Sequence, residues 1–374
     1  MSTPRSMGKM QTHGLKHTLT HALTQAWNAQ DSWTNNPLGQ FLALVLRPAS
    51  WIFAGLVSIR RVLYQRSFYS THTLPVPVIV VGNVMVGGVG KTPITIAVVQ
   101  HLKAQGWRVG VLSRGYGRKT SSTLAVTPNS NPHNVGDEPL LIARRCQVPV
   151  FVGISRVDAG QALLSLHPDV QVLVCDDGLQ HLALARDLEL CVFDERGVGN
   201  GRLLPAGPLR ETWPRKPLRS ASSNQEVPCL VVKRSDEIGG LNEFAVERHL
   251  ADYALQADGN QSSLSSWCDT PVQAIAGIAK PEVFFSMLHE QGLNVVHTQA
   301  LADHADLQAL HIDASQGDVL CTEKDAVKLW AHHPKAWAVP LQTTLPTELL
   351  AAIDWHLAAA QNAKLSSPHG QQTA

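Results

Sequence analysis

No two of the six cysteines form a C-x-x-C pair, so the sequence offers neither a zinc knuckle nor a dithiol redox motif. Cys175 and Cys191 lie inside apolar runs that read as buried strands, the behaviour of cysteine as a small core hydrophobe in a reducing compartment. Charge is scarce and balanced, at 16% charged residues and a formal net charge of +1. No global field therefore draws the chain onto nucleic acid. The 17 histidines lack metal-ligand spacing. A clean apolar run of about 20 residues, which a membrane-spanning helix needs, is also missing. The first thirty residues are polar, with no apolar core leading to a small-residue cleavage site, so a cytoplasmic catalytic body is expected. Tyrosine is sparse, four against nine tryptophans, and tryptophan suits water–lipid boundaries.

What is present describes a globular protein. With 374 residues and 44% hydrophobic content, two domains plus appendages can bury a large core. Residues 1–35 read as a polar extension, mobile or particular to this chain. Residues 36–74 hold an apolar stretch from Phe41 to Ile59, interrupted by Arg47-Pro48 and closed by Arg60, Arg61 and Arg66. That pattern fits a helix lying in a membrane interface better than one crossing it. From Pro75 apolar strand-like runs alternate with helical segments: Val78–Val81, Arg108–Ser113, Val150–Val152, Val170–Cys175, Leu188–Phe193 and Leu230–Val232. Alternation of this kind implies an α/β fold, a parallel sheet covered on both faces. A surface loop is expected at Ser220–Gln225. The first α/β domain is placed at 75–245. A smaller one follows at 246–362, with strands at Val272–Ile278, Val295–Thr298, Val319–Thr322 and Trp337–Val339 and helices at Pro281–Gln291 and Thr347–Ala360, and 363–374 reads as a tail.

The strongest chemical signal runs from Gly82 to Pro93, between a strand and a helix: Met85-Val86-Gly87-Gly88-Val89-Gly90-Lys91-Thr92. In that context a glycine-rich loop turns its backbone N–H groups around phosphate oxygens at a helix N-terminus. Lys91 is placed to reach the β/γ-phosphates of ATP and Thr92 to ligate Mg²⁺. The strict P-loop pattern wants glycine at position 85, where Met85 stands. A second signal is the apolar strand ending in Asp176-Asp177. An acid at such a strand end holds Mg²⁺ in P-loop enzymes, which makes Asp176 the metal candidate and Asp177 a further contact. Because ligands gather beyond the carboxyl ends of parallel strands, Lys91, Ser113-Arg114, Asp176 and Asp194 should share one edge with Asp137 and Gln180-His181. Arg114 and Arg210 lie in Gly/Pro-rich loops that suit phosphate clamps, whereas Arg186 reads as structural, paired with Asp187 or another acid. A phosphotransferase fits this set. The alternative is a membrane-associated partitioning-type P-loop ATPase switch, whose signature lysine would fall at 86, where Val86 stands. A GTPase is disfavoured because Thr322-Glu323-Lys324-Asp325 has the wrong spacing to read guanine.

These motifs in order resemble the tetraacyldisaccharide 4′-kinase family. The residues that carry the resemblance are Gly82-Asn83 with Gly87–Pro93; Ser113-Arg114-Gly115-Tyr116-Gly117; Gly136-Asp137-Glu138-Pro139; Asp176-Asp177-Gly178-Leu179-Gln180-His181; Gly201–Glu211; Ala276-Gly277-Ile278 with Pro281-Glu282; Asp303-His304; and Thr322–Lys328. The resemblance implies transfer of the ATP γ-phosphate to the 4′-hydroxyl of a tetraacylated glucosamine disaccharide 1-phosphate, forming lipid IVA in lipid A biosynthesis. It also implies two Rossmann-like domains joined by a two-stranded linker, a membrane-docking N-terminal helix, and a monomer at the cytoplasmic face of the bacterial inner membrane, held there as a peripheral or monotopic protein. Carried over residue by residue, Asp137 is the catalytic base with His304 as its partner, Asp176 the Mg²⁺ ligand, and Asp177, His181 and Arg210 active-site contacts. Met85 stands where the family usually has Ser or Thr, Ala279 where Gly or Asn is common, and Ala305 where a second His often follows. Arg60 and Arg61 are expected to face the anionic lipid surface.

Overall fold

The computed structural model describes residues 23–28, 37–219, 225–234, 240, 242–303, 305, 307 and 310–366. His304 and residues 220–224 of the expected surface loop lie outside them.

The apolar runs become the strands of an eight-stranded sheet in the order β3-β4-β2-β5-β1-β6-β7-β8. These are β1 (Val78–Gly82), β2 (Val109–Ser113), β3 (Leu124–Val126), β4 (Val150–Val152), β5 (Val172–Asp176), β6 (Leu188–Phe193), β7 (Cys229–Lys233) and β8 (Glu243–Ala245). All neighbours are parallel except the β3–β4 pair at one edge. Buried on both faces, the central strands need not alternate polar and apolar residues, and every residue of β1, β2, β5 and β6 is buried. Among the helices of this body are α3 (Lys91–Ala104), α4 (Pro132–Val135), α5 (Asp137–Cys146) and α6 (Arg156–Leu166).

A second sheet of six strands runs β11-β10-β15-β14-β12-β13. Its members are β10 (Tyr253–Leu255), β11 (Gln261–Ser263), β12 (Val272–Ala276), β13 (Val295–Ala300), β14 (Asp318–Thr322) and β15 (Trp337–Val339), with helices α7 (Pro281–Glu290) and α8 (Glu323–Leu329). Between the sheets the chain passes twice, as β9 (Glu247–Leu250) and β16 (Leu341–Thr344), which pair antiparallel with each other.

The last helix, α9 (Thr347–Leu365), corrects the sequence reading that gave residues up to 362 to the smaller unit. Its Leu349, Ile353 and Leu357 are buried in the core of the large sheet beside Ile79, Val98 and Leu190. Lys364, read as tail, is buried and donates to the carbonyls of Leu74 (3.0 Å) and Val76 (2.9 Å) while pairing with Asp187 at 3.2 Å. Arg186, expected to pair with Asp187 or another acid, takes Glu189 at 3.2 Å.

At the other end, Arg47-Pro48 divides the apolar stretch into α1 (Pro37–Val45) and α2 (Arg47–Gln65), bent by 50°. Proline is accepted in the first turn of α2, where its missing N–H has no intrahelical partner to lose. No single helix among the described residues is long and apolar enough to cross a membrane. One side of α2 meets the body through Phe53, Ala54 and the buried Ser50, whose hydroxyl donates to Leu203 O at 2.8 Å. Trp51, Ile52, Leu56 and Ile59 are exposed. Residues 23–28, part of the segment expected to be mobile, form a helical turn whose Trp27 Nε1 donates to Pro205 O at 3.1 Å.

Candidate active site

Parallel strands place their carboxyl ends at one edge, and the functional side chains follow from that. β1 feeds the glycine loop into α3, whose N-cap Gly90 adopts φ 79°. β5 ends at Asp176, directly paired with Val81 of β1. Lys91 Nζ donates to Asn83 Oδ1 at 3.3 Å and lies 3.5 Å from Asp177 Oδ1. Arg210 Nη1 stands 3.6 Å from the same oxygen. Asp177 itself has φ +50°, a left-handed conformation that Asp tolerates better than most residues. The carboxylate thus sits between two cations at the mouth of the loop.

Asp176 is 1% exposed. One oxygen accepts the Thr95 hydroxyl at 2.8 Å, whereas Oδ2 is buried with no hydrogen-bond partner among the described residues. Burial, with Glu138 and Asp177 nearby, pushes its carboxyl up to about 7. A buried acid with one orphaned oxygen and further negative charge nearby suits a ligand of a divalent cation. Thr92 lines the adjoining cavity with Glu138, so Thr92, Asp176 and Glu138 fit Mg²⁺. Among the described residues no group of three or more His, Cys, Asp or Glu could by itself hold a metal ion, so the hydroxyl of Thr92 and the nucleotide's own oxygens would have to complete the site. Glu138 and Thr95 were not singled out by the sequence. The Gly-Asp-Glu-Pro motif contained the first, but only packing brings it to Asp176.

Asp137 opens α5, where a carboxylate is favoured by the helix dipole. It is 8% exposed, and Lys328 Nζ of α8 lies 3.0 Å from its Oδ2. Lys324 follows one turn earlier, 4.0 Å from Glu138 and 2.7 Å from Asp303. Two lysines of the motif at Thr322–Lys328 therefore reach from the second sheet to the acids of the first. His304, the expected partner of Asp137, lies outside the described residues.

Three expectations change. Met85 and Val86 do not join the phosphate cradle. Met85 is fully buried in an apolar cluster and bridges antiparallel to Leu209, and the Val86 N–H donates to Pro208 O at 2.8 Å. This explains the absent glycine at 85, since the head of the loop is a strand-like edge and the glycines that matter begin at Gly87. His181, expected as an active-site contact, is tied to the backbone and held neutral near pH 7. Its Nε2 accepts the backbone N–H of Arg156 at 3.1 Å, and burial together with Arg156, Arg186, Arg60 and Arg114 pushes it down to about 4. Arg61 does not share the exposure of Arg60, because it folds inward to Glu211 at 3.7 Å and donates to Lys216 O. From Glu211 a polar chain continues through Gln180 Nε2, which donates to Glu211 Oε1 (2.8 Å) and Asn83 O (3.0 Å), towards Lys91.

A cavity of about 240 Å³ lies between the sheets, walled by Gly88–Pro93 on one side and by Ile278, Val283, Phe284 and Met287 on the other. The second unit closes tightly over the loop, since a Cβ on Gly88 would come within 3.1 Å of the Ala279 side chain. A phosphate cradle opening into an apolar slot can hold a nucleotide by both ends.

Residues 42–358 match the family model described as tetraacyldisaccharide-1-P 4′-kinase, LpxK. The chain belongs to this family. The tetraacyldisaccharide 4′-kinase of Acidovorax ebreus is 50% identical over 319 residues, covering 85% of this chain and 91% of the relative. That of Polaromonas naphthalenivorans is 45% identical over 360 residues, covering 95% and 100%. Among solved structures, LpxK of Aquifex aeolicus in complex with ATP superposes with a TM-score of 0.72 at 28% identity, covering 85% of this chain and 99% of that one. The tetraacyldisaccharide 4′-kinase fold thus accounts for both sheets and the double passage between them.

Proposed function

We propose that this chain transfers the γ-phosphate of ATP to the 4′-hydroxyl of a tetraacylated disaccharide 1-phosphate, forming lipid IVA in lipid A biosynthesis. The observation that carries this reading is the convergence of Lys91, Asp176 and Asp177 at the mouth of a glycine loop, with the buried acid Asp137 on the neighbouring helix, in a chain of this family. The partitioning-type switch does not belong to that family.

Backbone amides from Gly87 onward and Lys91 bind the phosphates. Thr92, Asp176 and Glu138 would hold Mg²⁺, which would supply positive charge to offset that developing on the phosphoryl oxygens. Asp137 accepts the proton of the sugar hydroxyl, a poor nucleophile that needs general-base help. Lys328, 3.0 Å away, orients that carboxylate, with His304 as a further partner. Arg210 and Asp177 contact the phosphates and the acceptor, and closure of the second unit excludes water from ATP.

The acceptor's acyl chains stay in the bilayer while α1 and α2 rest on its cytoplasmic face. Exposed Trp51, Ile52, Leu56 and Ile59 enter the interface and Arg60 faces anionic headgroups. The protein works there as a monomer. Incubation with γ-labelled ATP and the lipid disaccharide 1-phosphate, against glucosamine as control, tests the proposal. Label should appear in the lipid alone; label in neither, from protein that binds ATP, rejects it.

A further inference from the structure

The linker presses one arginine onto the glycine loop. Arg248 stands on β9, opposite Thr343 of β16. Its Nη2 donates to the carbonyl oxygens of Val89 at 3.1 Å and Gly90 at 3.0 Å. The guanidinium lies so close over Gly90 that a Cβ there would come within 2.2 Å of both terminal nitrogens. Nε is buried and has no hydrogen-bond partner among the described residues. Among the described residues, charged groups near it include Arg234, Asp194 and Glu195.

A planar trans peptide points its carbonyl and its N–H in opposite directions. Fixing the carbonyls of Val89 and Gly90 therefore fixes the N–H groups of Gly90 and Lys91. Those two amides open α3, where the phosphate chain of a nucleotide is cradled. We propose that Arg248 is a positioning residue for nucleotide binding, holding these amides in their phosphate-binding orientation from the linker that joins the two sheets. Nucleotide affinity then depends on where the linker sits. The inference rests on reading Gly87–Thr92 as the nucleotide cradle and adds a residue far from it in sequence.

The test is titration of ATP and ADP into full-length wild type, Arg248→Ala and Arg248→Lys, alongside steady-state kinetics. Loss of a charge-assisted clamp should weaken ATP and ADP binding together by about tenfold or more in Arg248→Ala. Arg248→Lys, which keeps charge and donors but not the flat face on Gly90, should recover part of the loss. The acceptor KM, and kcat at saturating ATP, should stay within about twofold of wild type. Should Arg248→Ala fold poorly, Arg248→Gln gives the same reading at preserved length. Unchanged nucleotide affinity beside wild-type binding overturns the inference alone. So does a variant whose only change is a lower melting temperature, or one that loses acceptor affinity equally. A wild-type chain that takes up no ATP removes the cradle reading and this inference together.

Discussion

Thr95 donates its hydroxyl to one oxygen of Asp176 at 2.8 Å and leaves the other oxygen buried with no hydrogen-bond partner among the described residues. The pair joins α3 to the end of β5, so the residue after the glycine loop's first helical turn aims the acid beneath it. A buried carboxylate with Glu138 and Asp177 nearby is costly as an anion. A divalent cation would relieve that cost, and Thr95 sets which oxygen is left to meet it.

Removal of this support should therefore show in the metal dependence. Thr95→Val, which keeps the shape, should raise the Mg²⁺ concentration for half-maximal activity by roughly tenfold or more, as loss of an outer partner of a metal ligand does. Asp176→Asn should abolish the metal response itself. Activity titrated against Mg²⁺ at saturating ATP checks both, and a Thr95→Val curve that overlays wild type would contradict the arrangement.

As the proposed base, Asp137 would act only during chemistry. Asp137→Asn should bind ATP normally while kcat falls by roughly 10²–10⁴-fold, the usual contribution of a general base. Lys328→Met should lower kcat less, with Lys328→Arg restoring part of it. Single-turnover transfer measured beside ATP titration separates the two effects. Transfer at near wild-type rate in Asp137→Asn would remove Asp137 from the base role.

His181 makes stability pH-dependent in a definite direction. Its folded value is pushed down to about 4 from an ordinary 6.5. Below 6.5 the unfolded chain gains a proton that the folded one refuses until about 4, so stability is lost as pH falls through that window. The ring is partly open to solvent, which screens the effect, so the loss is about 1–2 kcal/mol. His181→Gln should flatten this part of the curve in urea unfolding between pH 7 and pH 4. An acid limb unchanged by the substitution would show that other groups govern it.

The exposed face of α2 predicts surface binding. Replacing Trp51 or Leu56 by Glu removes apolar area that would enter the interface, about 1.5–3 kcal/mol for each side chain. Sedimentation with anionic vesicles should fall by roughly tenfold or more per substitution, while ATP affinity stays unchanged because neither residue touches the glycine loop. Equal sedimentation of wild type and the double variant would reject membrane docking through this face.

Much of the molecule was written locally. The central strands lie where uninterrupted apolar runs stand, because strands buried on both faces need no alternation. Arg47-Pro48 marks the break between α1 and α2, because proline restricts the residue before it and removes an N–H. Lys91, Asp176 and Asp177 could be placed at one edge from their positions after parallel strands alone. Other roles were not legible. Met85 looked like part of the cradle until Leu209 paired with it. The tie from the Arg156 amide to the His181 ring had no local signal either. Lys328 was one residue of a motif whose reach to Asp137 spans nearly two hundred positions.

By itself the sequence determined the elements, their order and the glycine loop, since backbone sterics, apolar periodicity and turn chemistry act over a few residues. Only the tertiary structure decided which acids converge on Asp176, which arginine clamps the loop and that the final helix returns to the first sheet. Those outcomes depend on burial and on contacts between distant segments, and the free energy that selects them exists only once both sheets have packed.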